Sequence, residues 1–201
     1  MAQFSSPVSV KAVLLGDSGV GKSSLFLRLT QGGFSTEEDS TMGAAFGQQT
    51  VEVQGRSVQF NIWDTAGQER YRALAKLFYK DASVAVLVYD ITSRSTFESL
   101  KAWQREVREA CPPSLRTLHT GLAVVGNKAD LREHEAVSTE EAGNWARSIL
   151  ALHATTSAKA FTGLETLITN LAEMLLCCNA QRPSAGVRLG KRQGKRLSCS
   201  S

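Results

Sequence analysis

The sequence lacks the features that direct a chain into the secretory pathway or across a membrane. Its start, MAQFSSPVSV, has no basic segment followed by an apolar core, and no apolar run in the 201 residues reaches the length of a membrane span. Position 2 is alanine rather than the glycine that N-myristoylation requires. We therefore expect neither secretion, nor a spanning helix, nor a myristoyl anchor.

Cysteine is scarce and shows no metal or redox pattern. The four cysteines, at positions 111, 177, 178 and 199, form no C-x-x-C pair, so we expect a reduced cytosolic chain without disulfides. Cys177 and Cys178 end an apolar helical run, and we expect both to be structural. Cys199 is the third residue from the C-terminus and needs a separate explanation.

The net charge of +4 is concentrated at one end of the chain. Residues 179–201 carry six basic side chains and no acidic one, which leaves 17 basic against 19 acidic side chains in the rest. This distribution favours an arm for anionic lipid over a nucleic-acid-binding face, with a generic solvated tail as the alternative. Helical periodicity stops after Asn179, so we expect a disordered tail. The other residues suffice for one domain.

Residues 16–23, GDSGVGKS, follow the pattern G-x-x-x-x-G-K-S of a phosphate-binding loop between a strand-like run and a helical one. Glycines let backbone N–H groups turn toward phosphate oxygens, and the following helix N-terminus adds its dipole. Lys22 would reach the outer phosphates, and Ser23 would place its hydroxyl on Mg²⁺. The loop residues expected to contact the nucleotide are Ser18, Gly19, Val20, Gly21, Lys22, Ser23 and Ser24.

Strand-like and helical patterns alternate along the chain. The predicted strands are 8–15, 46–53, 56–63, 84–90, 121–127 and a weaker one at 152–157. Only Gln54 and Gly55 separate the second and third strands, which predicts a hairpin. The alternation elsewhere predicts an α/β fold whose mostly parallel six-stranded sheet carries helices on both faces, with ligand loops at the carboxyl ends of the strands.

Two predicted helices carry an apolar stripe that we assign to the core rather than to a ligand. The stripe residues are Phe97, Leu100, Trp103 and Val107 in one, and Leu164, Leu167, Ile168, Leu171 and Leu175 in the other. Three helix starts show capping-box pairs, which are Ser95 with Glu98, Ser138 with Glu141, and Thr162 with Glu165.

Three further motifs join the phosphate loop: WDTAGQER (63–70), NKAD (127–130) and TSAK (156–159). In this order the four motifs resemble those of the small GTPases, over the stretch from about Val8 to Cys178. The resemblance implies a P-loop NTPase G domain at 8–178, between a flexible N-terminus at 1–7 and a basic tail with a lipidation site at 179–201. GTP or GDP would then be the bound nucleotide, with Mg²⁺.

The base-binding motifs suit guanine. Guanine presents an N1–H and an N2 amine side by side, so the Asp130 carboxylate can accept both, whereas adenine offers no such pair. The resemblance implies that Asn127 orients on the base, that the stem of Lys128 packs over the purine, and that the Ala158 N–H meets the guanine oxygen. It also implies nucleotide contacts from Phe34, Ser157 and Lys159.

Hydrolysis of GTP is implied by residues near the expected γ-phosphate. By the resemblance, Thr41 joins Ser23 on Mg²⁺, Asp64 holds Mg²⁺ through water, and Gly67 donates its N–H to the γ-phosphate. Gln68 stands where the family orients the attacking water. No arginine within these motifs matches a cis finger, so we expect unassisted turnover on the order of 10⁻⁴ per second and a need for an activating protein.

The stretches STMGAAF, WDTAGQERY, LVYDIT and GNKADL resemble the Rab branch, and GAAF with YRALAKLFY most resembles its early-endosomal members. This implies a monomeric switch in vesicle traffic, on the cytoplasmic face of endosomal membranes and cycling with the cytosol. The implied partners are an exchange factor, a GTPase-activating protein, effectors, and the prenyl-transfer and GDP-dissociation machinery, but no nucleic acid. Effectors would read Phe46, Trp63 and Phe78, although Trp63 and Phe78 could simply be packed.

The ending LSCSS does not match a C-a-a-X box, which needs cysteine fourth from the end. Cys199 does match the second cysteine of the Rab-type ending C-C-x-x, which implies a single prenyl chain; an unmodified cysteine is the alternative. One lipid anchors only reversibly, and a basic patch would strengthen the attachment. That patch would comprise Arg188, Lys191, Arg192, Lys195 and Arg196.

Two other functions use the same phosphate loop. The chain could be a GTP-bound scaffold with negligible hydrolysis, which Gln68 argues against. It could instead be a phosphoryl-transfer kinase, but no segment supplies a lid that would bind an acceptor.

Overall fold

The computed structural model describes residues 7–33, 44–65, 81–110 and 121–180. Within these ranges, strands and helices alternate as the sequence predicts. The strands are β1 (Val8–Leu15), β2 (Ala44–Val53), β3 (Arg56–Thr65), β4 (Val84–Asp90), β5 (Gly121–Asn127) and β6 (Leu152–Thr155). The helices are α1 (Lys22–Gln31), α2 (Arg94–Ala110), α3 (Thr139–Ser148) and α4 (Leu164–Ala180), with a short 3₁₀ helix at Ala129–His134.

The strands form one six-stranded sheet in the order β2-β3-β1-β4-β5-β6. The pair β2–β3 is antiparallel and the other neighbours are parallel, so the predicted topology is confirmed. The register places Leu14 beside Asp64 and Asp90 beside Asn127. The parallel strands therefore bring the loops that follow them to one edge of the sheet.

Helices cover both faces of the sheet, and each face has its own apolar core. Alternate residues of β1 contribute to the two cores, Leu14 to one and Leu15 to the other. The first core includes side chains of α1 and α4, and the second includes side chains of α2 and α3. Every residue in the two predicted helical stripes is at most 6% exposed, which confirms that they belong to the core.

The predicted hairpin joins β2 to β3, with Val53 opposite Arg56. Its two turn residues, Gln54 and Gly55, have φ values of 52° and 72°. A two-residue turn of this kind needs positive φ at both positions to match the twist of the strands. Glycine provides this conformation without steric cost at the second position.

The capping prediction is confirmed for one helix and wrong for two. The Ser138 hydroxyl accepts the N–H of Glu141 at 3.1 Å and so caps α3. Helix α2 begins at Arg94, which places Ser95 inside its first turn.

At α4 the cap position is Gly163, whose carbonyl accepts the first helical hydrogen bond, from Leu167. The backbone of Thr162 is instead paired with that of Ser157. Local sequence could not reveal this long-range pairing.

One prediction about cysteine is also wrong. The side chain of Cys177 is exposed rather than packed in the core, because it faces away from the buried stripe of α4. The helix itself continues to Ala180. No helix in the described ranges is long and apolar enough to cross a membrane.

Candidate nucleotide-binding site

The segment between β1 and α1 turns sharply through glycines, as a phosphate loop requires. Gly16 has φ 144° and a Cβ there would lie 2.2 Å from the Val88 carbonyl oxygen. Gly21 has φ 91° and a Cβ there would lie 2.3 Å from Nδ2 of Asn127. Any larger residue would push the loop away from the neighbouring strands, so both glycines are required by the tertiary contacts as well as by the turn.

Lys22 lies at the start of α1 and is only 6% exposed. Its Nζ donates a hydrogen bond to the Asp17 carbonyl oxygen at 2.8 Å. Burial lowers the pKa of Lys22 from 10.5 to about 8, against the opposing effects of the Asp64 and Asp17 carboxylates. A buried ammonium at the start of a helix that follows a glycine-rich loop is suited to bind phosphate oxygens.

Ser23 and Asp64 come together as the predicted metal-binding pair. The Ser23 hydroxyl donates to Oδ2 of Asp64 at 2.6 Å, and Asp64 is 1% exposed at the end of β3. Mg²⁺ is usually held by one or two protein oxygens together with waters and substrate phosphates. In the described ranges, no three His, Cys, Asp or Glu side chains are placed so that they could hold a metal ion together. The Ser23 hydroxyl and the Asp64 carboxylate beside the phosphate loop fit Mg²⁺.

Asn127 joins the phosphate loop to the second base-binding loop, 156–159. Its Nδ2 donates to the Val20 carbonyl oxygen at 3.0 Å. Its Oδ1 accepts from the Ala158 N–H at 3.2 Å and from the Thr156 hydroxyl at 3.4 Å. The sequence predicts a base contact for Asn127, but not this bridge between two loops.

Lys128 is held by a carboxylate that the sequence analysis missed. Its Nζ lies 2.7 Å from Oδ2 of Asp90, and its backbone has φ 67°. Burial alone would raise the pKa of Asp90, but hydrogen bonds from Lys128 and Thr92 outweigh burial and lower it. Asp90 is the last residue of β4 and lies beside Asn127, the last residue of β5. A carboxylate at the end of a buried strand was therefore the feature of the sequence that could have indicated this contact.

Asp130 and Ser157 connect the two base-binding loops. The Ser157 hydroxyl donates to Oδ1 of Asp130 at 2.5 Å and accepts the N–H of Ala160 at 2.9 Å. Ser157 is buried, whereas the Asp130 residue as a whole is exposed. The serine therefore orients a carboxylate that is still accessible to a ligand. Lys159, two residues further on, is exposed.

Two of the three aromatic residues predicted for the effector surface lie together on the hairpin. Phe46 and Trp63 are opposite each other in the β2–β3 register, with ring centroids 5.1 Å apart. Phe46 is 51% exposed. Trp63 is partly buried and packs against the second core, as the packing alternative expects, and the role of the pair in effector binding stays a prediction.

Several predicted site residues lie outside the residues that the structure describes, and their roles stay predictions. They are Phe34, Thr41, Gly67, Gln68, Phe78 and Cys199.

The fold and the loop arrangement define an α/β P-loop nucleotide-binding protein, and comparisons identify its family. A sequence model of the Ras family matches residues 11–177. Ras-related protein Rab5A of Oryza sativa subsp. japonica is 42% identical over 194 residues, covering 96% of this chain and 93% of that protein. Human Ras-related protein Rab-22A is 40% identical over 177 residues, covering 88% and 89%. Ras-related protein RABF2a of Arabidopsis thaliana is 42% identical over 168 residues, covering 84% and 82%.

The chain therefore belongs to the Ras family of small GTPases. Within that family it is of the Rab type, which confirms the resemblance noted from the motifs.

Proposed function

We propose that this chain is a Mg²⁺-dependent molecular switch that binds GDP or GTP, hydrolyses GTP slowly and recruits effectors in its GTP state. Residues 8–178 would make up the G domain, preceded by 1–7 and followed by the basic segment 179–201, whose first two residues, Asn179 and Ala180, belong to α4. The main supporting observation is the Asn127 bridge, because it connects a phosphate-binding loop to a loop suited to a purine base. Family membership supports guanine as the base.

The phosphate side binds and orients the triphosphate. Lys22 exchanges its bond with the Asp17 carbonyl for phosphate oxygens, and backbone N–H groups of the loop contact the remaining oxygens. Ser23, Thr41 and Asp64 would hold Mg²⁺, which would neutralise negative charge on the nucleotide phosphates. Burial of Lys22 and Asp64 strengthens these interactions because little water competes with them.

The base side selects guanine through Asp130. Ser157 holds one carboxylate oxygen, and this bond orients the carboxylate toward the N1–H and N2 amine. The Asp90 ion pair holds Lys128 so that its stem can lie over the purine. Adenine does not present two adjacent donors to this carboxylate, so we expect strong discrimination against adenine nucleotides.

Direct competition binding tests this assignment. The purified full-length chain is loaded with a fluorescent GDP, which is then displaced by GDP, GTP or ATP in the presence of Mg²⁺. GDP and GTP should displace the probe at far lower concentration than ATP. Equal displacement by ATP and GTP would contradict a guanine site.

Single-turnover hydrolysis tests the role of Gln68. We expect Gln68→Leu to slow GTP hydrolysis with little change in nucleotide affinity, because the lost amide acts on the attacking water rather than on the bound phosphates. A variant that hydrolyses GTP at the parent rate, with and without a GTPase-activating protein, would refute that role.

Traffic at endosomal membranes is the cellular role we propose, with Phe46, Trp63 and Phe78 contacting effectors and Cys199 carrying one prenyl chain. The similarity to Rab5A and Rab-22A supports this role. Intact-mass measurement of the membrane-bound protein should show a prenyl group that Cys199→Ser lacks. An unmodified Cys199 in the membrane fraction would refute the lipid anchor.

A further inference from the structure

Arg28 of α1 donates two hydrogen bonds to the base-binding loop 156–159 and a third to the end of its own helix. Its Nε donates to the Ala158 carbonyl oxygen at 2.8 Å, and its Nη2 donates to the Lys159 carbonyl oxygen at 3.2 Å. Its Nη1 donates to the Gly32 carbonyl oxygen, just beyond the end of α1, at 3.0 Å. The guanidinium therefore joins the end of α1 to a loop about 130 residues away in the sequence.

The same guanidinium lies over an aromatic ring. Its Cζ is 5.3 Å from the ring centroid of Phe161, which is 48% exposed and has φ 57°. A planar guanidinium can donate in fixed directions while its face contacts an aromatic ring, and a lysine ammonium cannot reproduce both. These contacts therefore favour arginine over lysine at position 28.

Both backbone polar groups of Ala158 are hydrogen-bonded. Its N–H donates to Asn127, which also bonds to the carbonyl of Val20, two residues before α1 begins. Its carbonyl accepts from Arg28, further along the same helix. Asn127 and Arg28 therefore tie the loop to two successive points of one segment, which leaves it little freedom to move away from the phosphate loop.

The loop is buried at its start and exposed at its end. Thr156, Ser157 and Ala158 are buried, whereas Lys159 and the next two residues, Ala160 and Phe161, are exposed, so the core does not hold this outer part in place. The bonds there include those from the Ala160 N–H to the Ser157 hydroxyl and from Arg28 to the Lys159 carbonyl. In the proposed guanine site the loop lies against the base, so we expect release of the base to require movement of the loop. The hydrogen bonds from Arg28 oppose that movement.

We propose that Arg28 is a positioning residue that holds the loop 156–159 over the guanine base and thereby slows the release of bound nucleotide. This inference rests on the proposed guanine site. Its hydrogen bonds to Ala158 and Lys159 lie on the base side, so we expect its effect on release to be similar with and without Mg²⁺.

Release of a fluorescent GDP from the full-length chain, chased with excess GDP, tests this inference. Arg28→Met keeps the apolar stem and removes the donors, and it should release GDP about tenfold faster than the parent. Arg28→Lys can make only some of these contacts, so its rate of GDP release should lie between those of the parent and Arg28→Met. Phe161→Leu keeps every hydrogen bond and should change release by about twofold or less.

Arg108→Met is the matched control. Arg108 also donates to a distant backbone carbonyl, that of Ile149 at 3.3 Å, but it lies on α2 away from the nucleotide loops. This variant should release GDP at the parent rate. Thermal unfolding of the GDP-loaded variants shows whether each is folded, and Arg28→Lys still tests the inference if Arg28→Met does not fold.

Release is measured both with Mg²⁺ and with EDTA. The ratio of the Arg28→Met rate to the parent rate should be the same in both conditions, because the substitution removes the bonds to the base-binding loop whether or not Mg²⁺ is present. Parent-like release in the Arg28 variants, equal acceleration in Arg108→Met, or acceleration only with Mg²⁺ would overturn the inference while leaving a guanine site intact. A parent chain that does not retain GDP would overturn the proposed function as well.

Discussion

The phosphate side and the base side of the site are built in different ways. The phosphate side is one continuous segment, 16–23, completed by Asp64 from the neighbouring strand. The base side is assembled from the ends of three strands, with Asp90, 127–130 and 156–159 meeting only in the folded sheet. The first side depends on local backbone conformation, and the second depends on sheet register.

The two sides also differ in how their charged groups meet solvent. Lys22 and Asp64 are 6% and 1% exposed, whereas Asp130 is exposed and held by the buried Ser157. Buried charges attract phosphates and Mg²⁺ strongly, because water screens them little. An accessible carboxylate in a fixed orientation instead selects by the pattern of hydrogen bonds. The groups that set the strength of phosphate binding and those that select the base therefore lie in different parts of the site. We expect substitutions to affect these two properties separately.

Asp130→Asn should cause the largest change in nucleotide affinity, and the direction of that change should depend on the base. The amide presents a donor where guanine also presents donors, so we expect guanine nucleotide affinity to fall by about a thousandfold and xanthine nucleotide affinity to rise. Competition binding with GDP and xanthosine diphosphate measures both changes. A parallel loss of both affinities would mean that Asp130 supports the loop rather than reading the base.

Gly21→Ala should damage the contact between the two sides. The new Cβ would lie 2.3 Å from Nδ2 of Asn127 at a residue with φ 91°. We expect unfolding free energy to fall by about 3 kcal/mol, from backbone strain and the displaced bridge together. Denaturant unfolding measures this change.

Gly55→Ala is the control for backbone strain, since Gly55 has φ 72° but no heavy atom within 4 Å of a built Cβ. The left-handed backbone alone should cost about 1 kcal/mol. Equal losses in the two variants would show that the Asn127 contact adds nothing.

Ser23→Ala should affect the phosphate side and leave base selection unchanged. Loss of the hydroxyl that bonds Asp64 should weaken Mg²⁺ affinity by about ten- to a hundredfold. A Mg²⁺ titration of the GDP release rate gives that affinity. The preference for GDP over xanthosine diphosphate should stay at its parent value, and a changed preference would break the proposed separation.

The smallest change we expect is a fall in nucleotide affinity at alkaline pH. Because burial lowers the pKa of Lys22 to about 8, free protein loses this proton as pH rises through 8, whereas bound phosphates favour the protonated form. We expect GDP affinity to drop by about tenfold between pH 7 and pH 9. Calorimetry in two buffers should detect proton uptake on binding.

The stability of the free protein should respond to pH in the opposite direction. Between pH 8 and 10.5 the unfolded chain holds more of this proton than the folded chain, so the Lys22 contribution favours folding as pH rises through that window. Lys22→Arg keeps its charge and should lose both effects. An unchanged pH profile in that variant would assign the titration to another group.

Much of the fold was predictable because its signals are local. Each strand was predicted to within two residues at either end, since apolar runs of strand length were bounded by turn residues. The hairpin followed from two residues, Gln54 and Gly55. The misplaced starts of α2 and α4 show the limit, because a capping box indicates a helix start but neighbouring contacts decide which residue occupies the cap.

The sequence by itself determined the phosphate loop, the order of the strands and helices, and the family, because these depend on short contiguous patterns. Only the tertiary structure decided that Asn127 bridges Val20 and Ala158, that Asp90 pairs with Lys128, and that Arg28 holds the loop 156–159. Those partners are separated by roughly 30 to 130 residues, and no local pattern encodes their distance. The register of the parallel strands and the placement of α1 on the sheet bring them within hydrogen-bond reach.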